Sequence, residues 1–239
     1  MELLRGMLPD EAGGNLKSFC FGALEELDGV SPMNFPVIVK GSYGAMGRNV
    51  FLAHSFDELK SIVRHRIATP VTLRFRFKEH LRKLRHRGYR RESFYRGGFV
   101  VQDFIPDLKN DWKIYYFGDR AYVFNRPVFP KREFRASGGG YDNYSYGLEA
   151  HAPEGMLEFG WKIFRTLDIP FVSMDVAWDG NRFYLLEFQC VYFGTAGILR
   201  KYSRIFFRRS EAGWQTSDNE GSIEKTYAYG IAWYLKERS

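Results

Sequence analysis

Three side chains, Asp175, Glu187 and Gln189, have the chemistry of a hard-cation site and lie within one short stretch, SMDVAWDGNRFYLLEFQ, at residues 173–189. Residues 173–178 and 182–188 read as two short strands, with Asp179-Gly180-Asn181 between them as a strong hairpin signal. Folding such a hairpin sets Asp175 opposite Glu187, and Gln189, two positions further on, shares the Glu187 face. Two carboxylates and an amide oxygen then converge, a donor set suited to magnesium held against phosphates. The same residues also suit a hairpin whose outer face is simply wet, and the stretch alone does not separate these readings.

A second group of candidates lies far upstream, in FPVIVKGSYGAMGRNVFLAHSFDEL. Residues 36–40 and 49–53 read as strands, and Lys40 closes the first of them. Gly41, Gly44 and Gly47, with Ser42 among them, free the backbone between the strands to approach a ligand and turn its N–H groups toward an anion. A lysine before the glycines and a strand after them differ from a Walker loop, where lysine follows the glycines and a helix comes next. The arrangement also differs from a dinucleotide-binding fingerprint, which opens a helix. A flap over a nucleotide and a plain glycine-rich hairpin both remain open. Ser55, followed by Asp57 and Glu58, marks the start of a helix.

Between and beyond these groups, residues 99–102 read as a strand that Ile105-Pro106 interrupts, leaving backbone groups outside sheet pairing. Residues 112–117 and 121–125 form a hairpin around Gly118-Asp119, with Arg126 at its exit, and Asp111 and Lys113 alternate with aromatic residues along its first strand. Arg135 and Ser137 precede three glycines in another candidate ligand-hugging loop. Residues 154–167 and 222–236 carry helical apolar stripes, and residues 19–27 suggest a short amphipathic helix. No Ser-His or Cys-His arrangement suggests a protein nucleophile, and His151 reads as a surface or capping residue.

These groups sit in a chain of 239 residues, 45% hydrophobic and 18% aromatic, which is enough to build a folded core and excludes a disordered tail. Two cysteines, Cys20 and Cys190, make no disulfide framework and imply a reducing, cytoplasmic setting. No signal peptide or spanning segment is expected, because no run of about eighteen apolar residues occurs. The net charge of +7 is concentrated: residues 64–96 hold twelve Lys or Arg against Glu79 and Glu92, leaving the remainder about three charges negative. The position of this segment inside the fold favours a lid that attracts an anionic ligand, while its interleaved aromatics keep RNA binding open.

The motifs PVIVKGSYGAMGRNV, VVQDFIPDLKNDWKIYYFGD, the RPV at Arg126, FRASGGG and MDVAWDGNRFYLLEFQ, in this order, resemble the ATP-grasp superfamily. The resemblance is strongest to the glutathione synthetases and the ribosomal-protein glutamate ligases, and it spans roughly residues 17–198. It implies an α+β ATP-grasp fold with two lobes closing on ATP and a preceding N-terminal domain largely missing. The implied division is a remnant or linker at 1–35, a lid lobe with the glycine flap and basic segment at 36–98, and a C-terminal lobe with the metal site at 99–239.

Residue by residue, the resemblance implies that Lys40 contacts phosphates under the flap of Gly41, Ser42, Gly44 and Gly47. Gln102, Asp103, Phe104 and Ile105 line the adenine pocket; Arg126 stabilises the transferring phosphoryl group, with Lys113 a further positive catalytic residue; Arg135, with Ser137, lies near the acceptor. Asp175, Glu187 and Gln189 hold one or two magnesium ions. The implied chemistry is phosphorylation of a carboxylate by ATP, then attack of an amine, with ADP released. Gln189 stands where the family usually has asparagine, Lys113 where it usually has arginine, and Ser137 where asparagine is common.

The first expectation is therefore an ATP- and magnesium-dependent carboxylate–amine ligase acting on a small carboxylate or amine. A nucleotide-binding module without turnover, engaging an anionic partner, is the second; an RNA-binding protein is the third. Nucleic acid and membranes are not expected as partners under the first reading, and an oligomer or partner chain is left open.

Overall fold

The computed structural model describes residues 16–30, 33–42, 49–89, 93–128, 144–191, 193–194, 204–219 and 222–239. The chain divides into two compact units, one of Lys17–Phe104 and one built from Ile105–Ser239 together with Met1–Leu16. The first unit thus runs between Lys17 and Phe104, where the sequence suggested 36 and 98. The physical reason is strand pairing: β1 (Ser18–Ala23) and β5 (Tyr95–Asp103) zip together in one ladder and cannot belong to different bodies.

In that unit, β2 (Val37–Gly41), β3 (Val50–Ala53) and the two-residue β4 (Thr69–Pro70) complete a five-stranded sheet of order β1-β5-β2-β3, with β4 on β5. Residues 19–27, expected as a helix, form β1 followed by a 3-10 turn at Leu24–Gly29. Pairing with β5 takes up the β1 backbone groups that face it, so tertiary context overrides the weak helical pattern. Alternation along β2 and β5 sends Val37, Val39, Phe99 and Val101 to one core, where Leu59 of α1 (Phe56–Ile62) and Val63 of a π-helical turn cover them. Helix α1 begins as expected: Ser55 Oγ accepts from Glu58 N at 3.2 Å, and Glu58 Oε2 accepts from His54 N at 2.8 Å. The basic helix α2 spans Leu73–Arg85, with Thr72 as its N-cap.

The second unit is built on β6 (Asn110–Phe117), β7 (Arg120–Pro127), β9 (Phe171–Trp178), β10 (Phe183–Gln189), β11 (Ile205–Ser210) and β12 (Gly213–Asp218), in the order β10-β9-β6-β7-β11-β12, with β8 (Ser145–Tyr146) on β7. Two of these hairpins are the ones expected. Gly118 makes the β6–β7 turn at φ +58, and Asp179 Oδ1 accepts from the backbone N of both Asn181 and Arg182 at 2.8 Å to close β9–β10. The β11–β12 hairpin was not anticipated.

Helix α3 (Met156–Leu167) covers one face of this sheet, burying Met156, Ile163 and Phe164 against Ile114, Tyr116 and Met174. The opposite face carries an aromatic cluster of Tyr115, Phe117, Tyr122, Phe124 and Phe193, against which Tyr227 of α4 (Ile223–Lys236) packs. The second face also carries the charged residues.

Candidate functional site

The charged constellation follows from register. Antiparallel pairing places Glu187 of β10 beside Asp175 of β9, Asp175 beside Lys113 of β6, and Asp111 of β6 beside Arg126 of β7. A bulge between Leu185 and Glu187 is what brings Glu187 level with Asp175. Because Trp112 and Ile114 point into the α3 core, Asp111, Lys113 and Tyr115 must take the opposite face.

The contacts on this face are short. Lys113 Nζ donates to Asp175 Oδ1 at 2.8 Å, and Arg126 Nε donates to Asp111 Oδ1 at 2.6 Å. Arg126 Nη2 lies 2.9 Å from Asp175 Oδ2, an ionic contact without hydrogen-bond alignment. Asp111 and Arg126 are buried, so each charge survives only because the other is present.

The protonation equilibria report the same competition. Burial works to raise Asp175, but the Arg126 and Lys113 charges outweigh it and hold its carboxyl well below the usual range. Burial also raises Asp111, with Arg126 opposing and the neighbouring Asp175 charge adding to the rise. Burial would lower the Arg126 guanidinium, yet Asp111 and Asp175 push it well above its ordinary value, so it stays charged.

At the metal candidates, Gln189 Nε2 donates to Glu187 Oε1 at 2.9 Å, and both side chains are exposed. The structure therefore brings Asp175, Glu187 and Gln189 to one sheet face and commits Asp175 to two cations. Among the described residues no group of three or more His, Cys, Asp or Glu is placed to hold a metal ion. Glu187, Gln189 and Asp175 offer oxygen donors of the kind hard cations take, with both Asp175 oxygens already facing Lys113 and Arg126.

Phe193 and Gly194 join this face, Tyr115 Oη donating to Gly194 O at 2.7 Å. Ser173, two residues before Asp175, is buried with no partner for its hydroxyl among the described residues. Asp111 was noted from alternation alone as a face-mate of Lys113, but its role as the partner of Arg126 was not legible. The missing signal was the β6–β7 register, which pairs positions 111 and 126 across a two-residue turn.

In the first unit, Lys40 pairs in register with Val50 and Val100, on the sheet face opposite Val39 and Phe99. Gly41 alternates to the face of Val39, and Ser42 follows the end of β2. They line a cavity of about 550 Å³ with Asn49, Phe75, Arg96, Gly97 and Gly98, where the Arg96 guanidinium stacks 4.6 Å from the Phe75 ring centre. Gly98 is fixed here by Ser42, whose N and Oγ donate to Gly98 O at 2.9 and 2.5 Å; a Cβ at Gly98 would lie 2.9 Å from that Oγ.

Gln102 is buried and donates from Nε2 to Ser18 Oγ at 3.2 Å. Asp103 Oδ2 accepts from Lys17 N at 3.1 Å, so this carboxylate anchors the start of β1. Phe104 ends the first unit, and Ile105 packs in the second with Leu16 and Ala177. Gly44, Gly47, Arg135 and Ser137 lie outside the described residues.

A family model for the RimK-like ATP-grasp domain matches residues 23–81. No curated protein sequence matches the chain. Among solved structures, the fold is similar to VanG D-Ala:D-Ser ligase from Enterococcus faecalis, at 11% identity and TM-score 0.52, over 98% of this chain and 60% of that one. It is likewise similar to the ATP-grasp ligase PsnB complexed with minimal precursor, at 11% identity and TM-score 0.51, over 99% of this chain and 59% of that one. An L-amino acid ligase from Bacillus licheniformis aligns at 14% identity and TM-score 0.47, over 82% of this chain and 41% of that one. The chain spans 41% to 60% of the length of these three structures. With its mixed α+β content, the chain has the ATP-grasp fold, and over residues 23–81 it matches the RimK-like ATP-grasp domain.

Proposed function

We propose that this chain is an ADP-forming, ATP- and magnesium-dependent carboxylate–amine ligase. The observation that carries the reading is the charged row on the second unit's sheet, where Lys113 and buried Arg126 face Asp175 and Asp111 beside Glu187 and Gln189. Such a row supplies what phosphoryl transfer demands of a protein, fixed charge and positioning without a protein nucleophile.

In this reading a substrate carboxylate oxygen attacks the γ-phosphorus of ATP, the bond to the β–γ bridging oxygen breaks, and ADP departs. An amine nitrogen then attacks the acyl carbon of the acyl phosphate, inorganic phosphate leaves, and the amine proton passes to solvent. Arg126, kept charged by its two aspartates, holds the transferring phosphoryl group, and Lys113 adds a second positive charge. Lys40 binds phosphate oxygens, with Gly41, Ser42, Gly44 and Gly47 as the covering flap. Gln102, Asp103, Phe104 and Ile105 serve the adenine, and Arg135 the acceptor. Glu187, Gln189 and Asp175 would hold magnesium, whose contribution when bound is to neutralise phosphate charge. The Glu187–Gln189 hydrogen bond already orients two of these donors, and the longer reach of glutamine over asparagine suits its place on the exposed edge strand β10.

Thermal unfolding with and without magnesium–ATP tests nucleotide binding. At about one hundred times the dissociation constant, ATP should add ~2.7 kcal/mol of stability. ADP release with a panel of carboxylates and amines then tests ligation. The absence of a magnesium–ATP shift overturns the nucleotide reading; a shift without substrate-dependent ADP release leaves a binding module and overturns the ligase.

A further inference from the structure

We infer that the exposed face of α2 docks on an anionic membrane surface, a role independent of the proposed ligase chemistry. Helix α2, LRFRFKEHLRKLR, has its polarity reversed relative to an ordinary surface helix. Leu73, Phe77, Leu81 and Leu84 are 80%, 65%, 48% and 73% exposed. At 100° per residue these four side chains fall within an arc of about 80°. The side facing the fold mixes charged residues with Phe75. Glu79 is fully buried, accepts from Tyr89 Oη at 2.9 and 2.8 Å on its two oxygens, and accepts from Arg82 Nη1 at 2.9 Å. Phe75 is held under the Arg96 guanidinium, and Arg76 lies over Phe94. The Phe75–Arg96 and Arg76–Phe94 contacts tether the helix from this side, and its apolar stripe points outward.

Charge decides what the stripe fits. On the helical projection Arg74, Lys78 and Arg85 border it on one side and Lys83 lies on the other, within a segment whose basic residues outnumber acids twelve to two. A second copy of this chain would bring like charges together along both borders. RNA phosphates would satisfy the cations but leave Leu73, Leu81 and Leu84 in water. An acidic protein would need a groove with carboxylates on both rims to receive a convex ridge. An anionic bilayer supplies both requirements along any line on its surface, with acyl chains beneath the stripe and headgroups at the height of snorkelling Lys and Arg side chains. The expectation of no membrane partner rested on the lack of a spanning segment. No helix among the described residues is long and apolar enough to cross a membrane, but docking in the interface requires only one amphipathic face.

The test is flotation of the full chain with vesicles of phosphatidylcholine alone and of phosphatidylcholine mixed with phosphatidylserine. Two variants accompany it. Leu73→Ala/Phe77→Ala/Leu84→Ala removes the stripe while keeping helix formers, and Arg74→Gln/Lys78→Gln/Arg85→Gln removes bordering charge. All six positions are exposed, and thermal unfolding checks that both variants remain folded. The expected result is flotation with the phosphatidylserine vesicles alone, reduced more than about tenfold in each variant. Failure of the unaltered chain to float overturns the inference, as does equal flotation of the stripe variant. Capture by single-stranded RNA or polyglutamate without flotation also overturns it, in favour of a nucleic-acid or acidic-protein partner.

Discussion

Lys113 Nζ stands 2.8 Å from Asp175 Oδ1 across the β6–β9 pair, so a residue expected to serve phosphoryl transfer neutralises a residue expected to serve the metal. Arg126 holds the other oxygen of the same carboxylate, and Asp111 holds Arg126. Removing one member of such a buried group leaves an uncompensated charge. Asp175→Asn is therefore expected to destabilise the protein by roughly 3–5 kcal/mol near neutral pH, read from urea unfolding. A loss under about 1 kcal/mol would show that the ion pairs contribute little.

The pH dependence of that loss has a definite sign. Asp175 is depressed in the folded state, so its stabilisation is complete above the ordinary carboxylate value of 3.8 and is lost as pH falls toward its lower folded value. Asp111 is raised, and its contribution runs the other way: it is present below 3.8 and lost as pH rises through its raised value. Urea midpoints measured over a pH series should show the gap between the unaltered chain and Asp175→Asn narrowing below pH 3.8. A gap constant down to strongly acidic pH contradicts the ion-pair account.

Glu187 and Lys40 separate function from stability. Glu187 is exposed on the edge strand β10, so Glu187→Ala should change unfolding free energy by less than about 0.5 kcal/mol. It should nevertheless weaken the magnesium dependence of ATP stabilisation. Lys40→Ala should remove most of the ~2.7 kcal/mol nucleotide shift expected of the unaltered chain. Normal ATP response in either variant removes that residue from the proposed site.

Gly160 lies inside α3, where alanine is ordinarily the better helix former by about 1 kcal/mol. Here a Cβ would sit 2.6 Å from Tyr116 Oη, which donates to Leu157 O at 2.7 Å inside the main core. The steric cost of overpacking, roughly 1–3 kcal/mol, exceeds the propensity gain. Gly160→Ala should therefore lower the unfolding midpoint, and an increase would show that Tyr116 can move aside.

Glu79 is the only carboxylate on α2, and it holds the helix to Tyr89. Glu79→Ala should leave Tyr89 Oη without this acceptor and loosen the helix. Hydrogen exchange should then be faster across Leu73–Arg85 while Val37–Gly41 stays protected. Unchanged exchange in α2 would mean that the aromatic contacts suffice to hold it.

The amino-acid sequence by itself determined the local features with a short-range cause. Asp179-Gly180-Asn181 fixes the β9–β10 turn, Gly118 the β6–β7 turn, and Ser55 and Ser222 the starts of α1 and α4, because turn and cap preferences act between residues a few positions apart. The order of its motifs also carried the ATP-grasp resemblance. Tertiary structure alone decided what depends on distant partners. Residues 18–23 became a strand because β5 lies beside them, and the β11–β12 hairpin found its place against β7. Arg126 acquired Asp111 and Asp175 through the register of three strands, a relation spread over residues 111–175. Most of all, the outward turn of the Leu73, Phe77 and Leu84 stripe could not be read from its periodicity. Apolar spacing gives a helix its two faces, but the contacts of Phe75 with Arg96 and of Arg76 with Phe94 choose which of them meets the solvent.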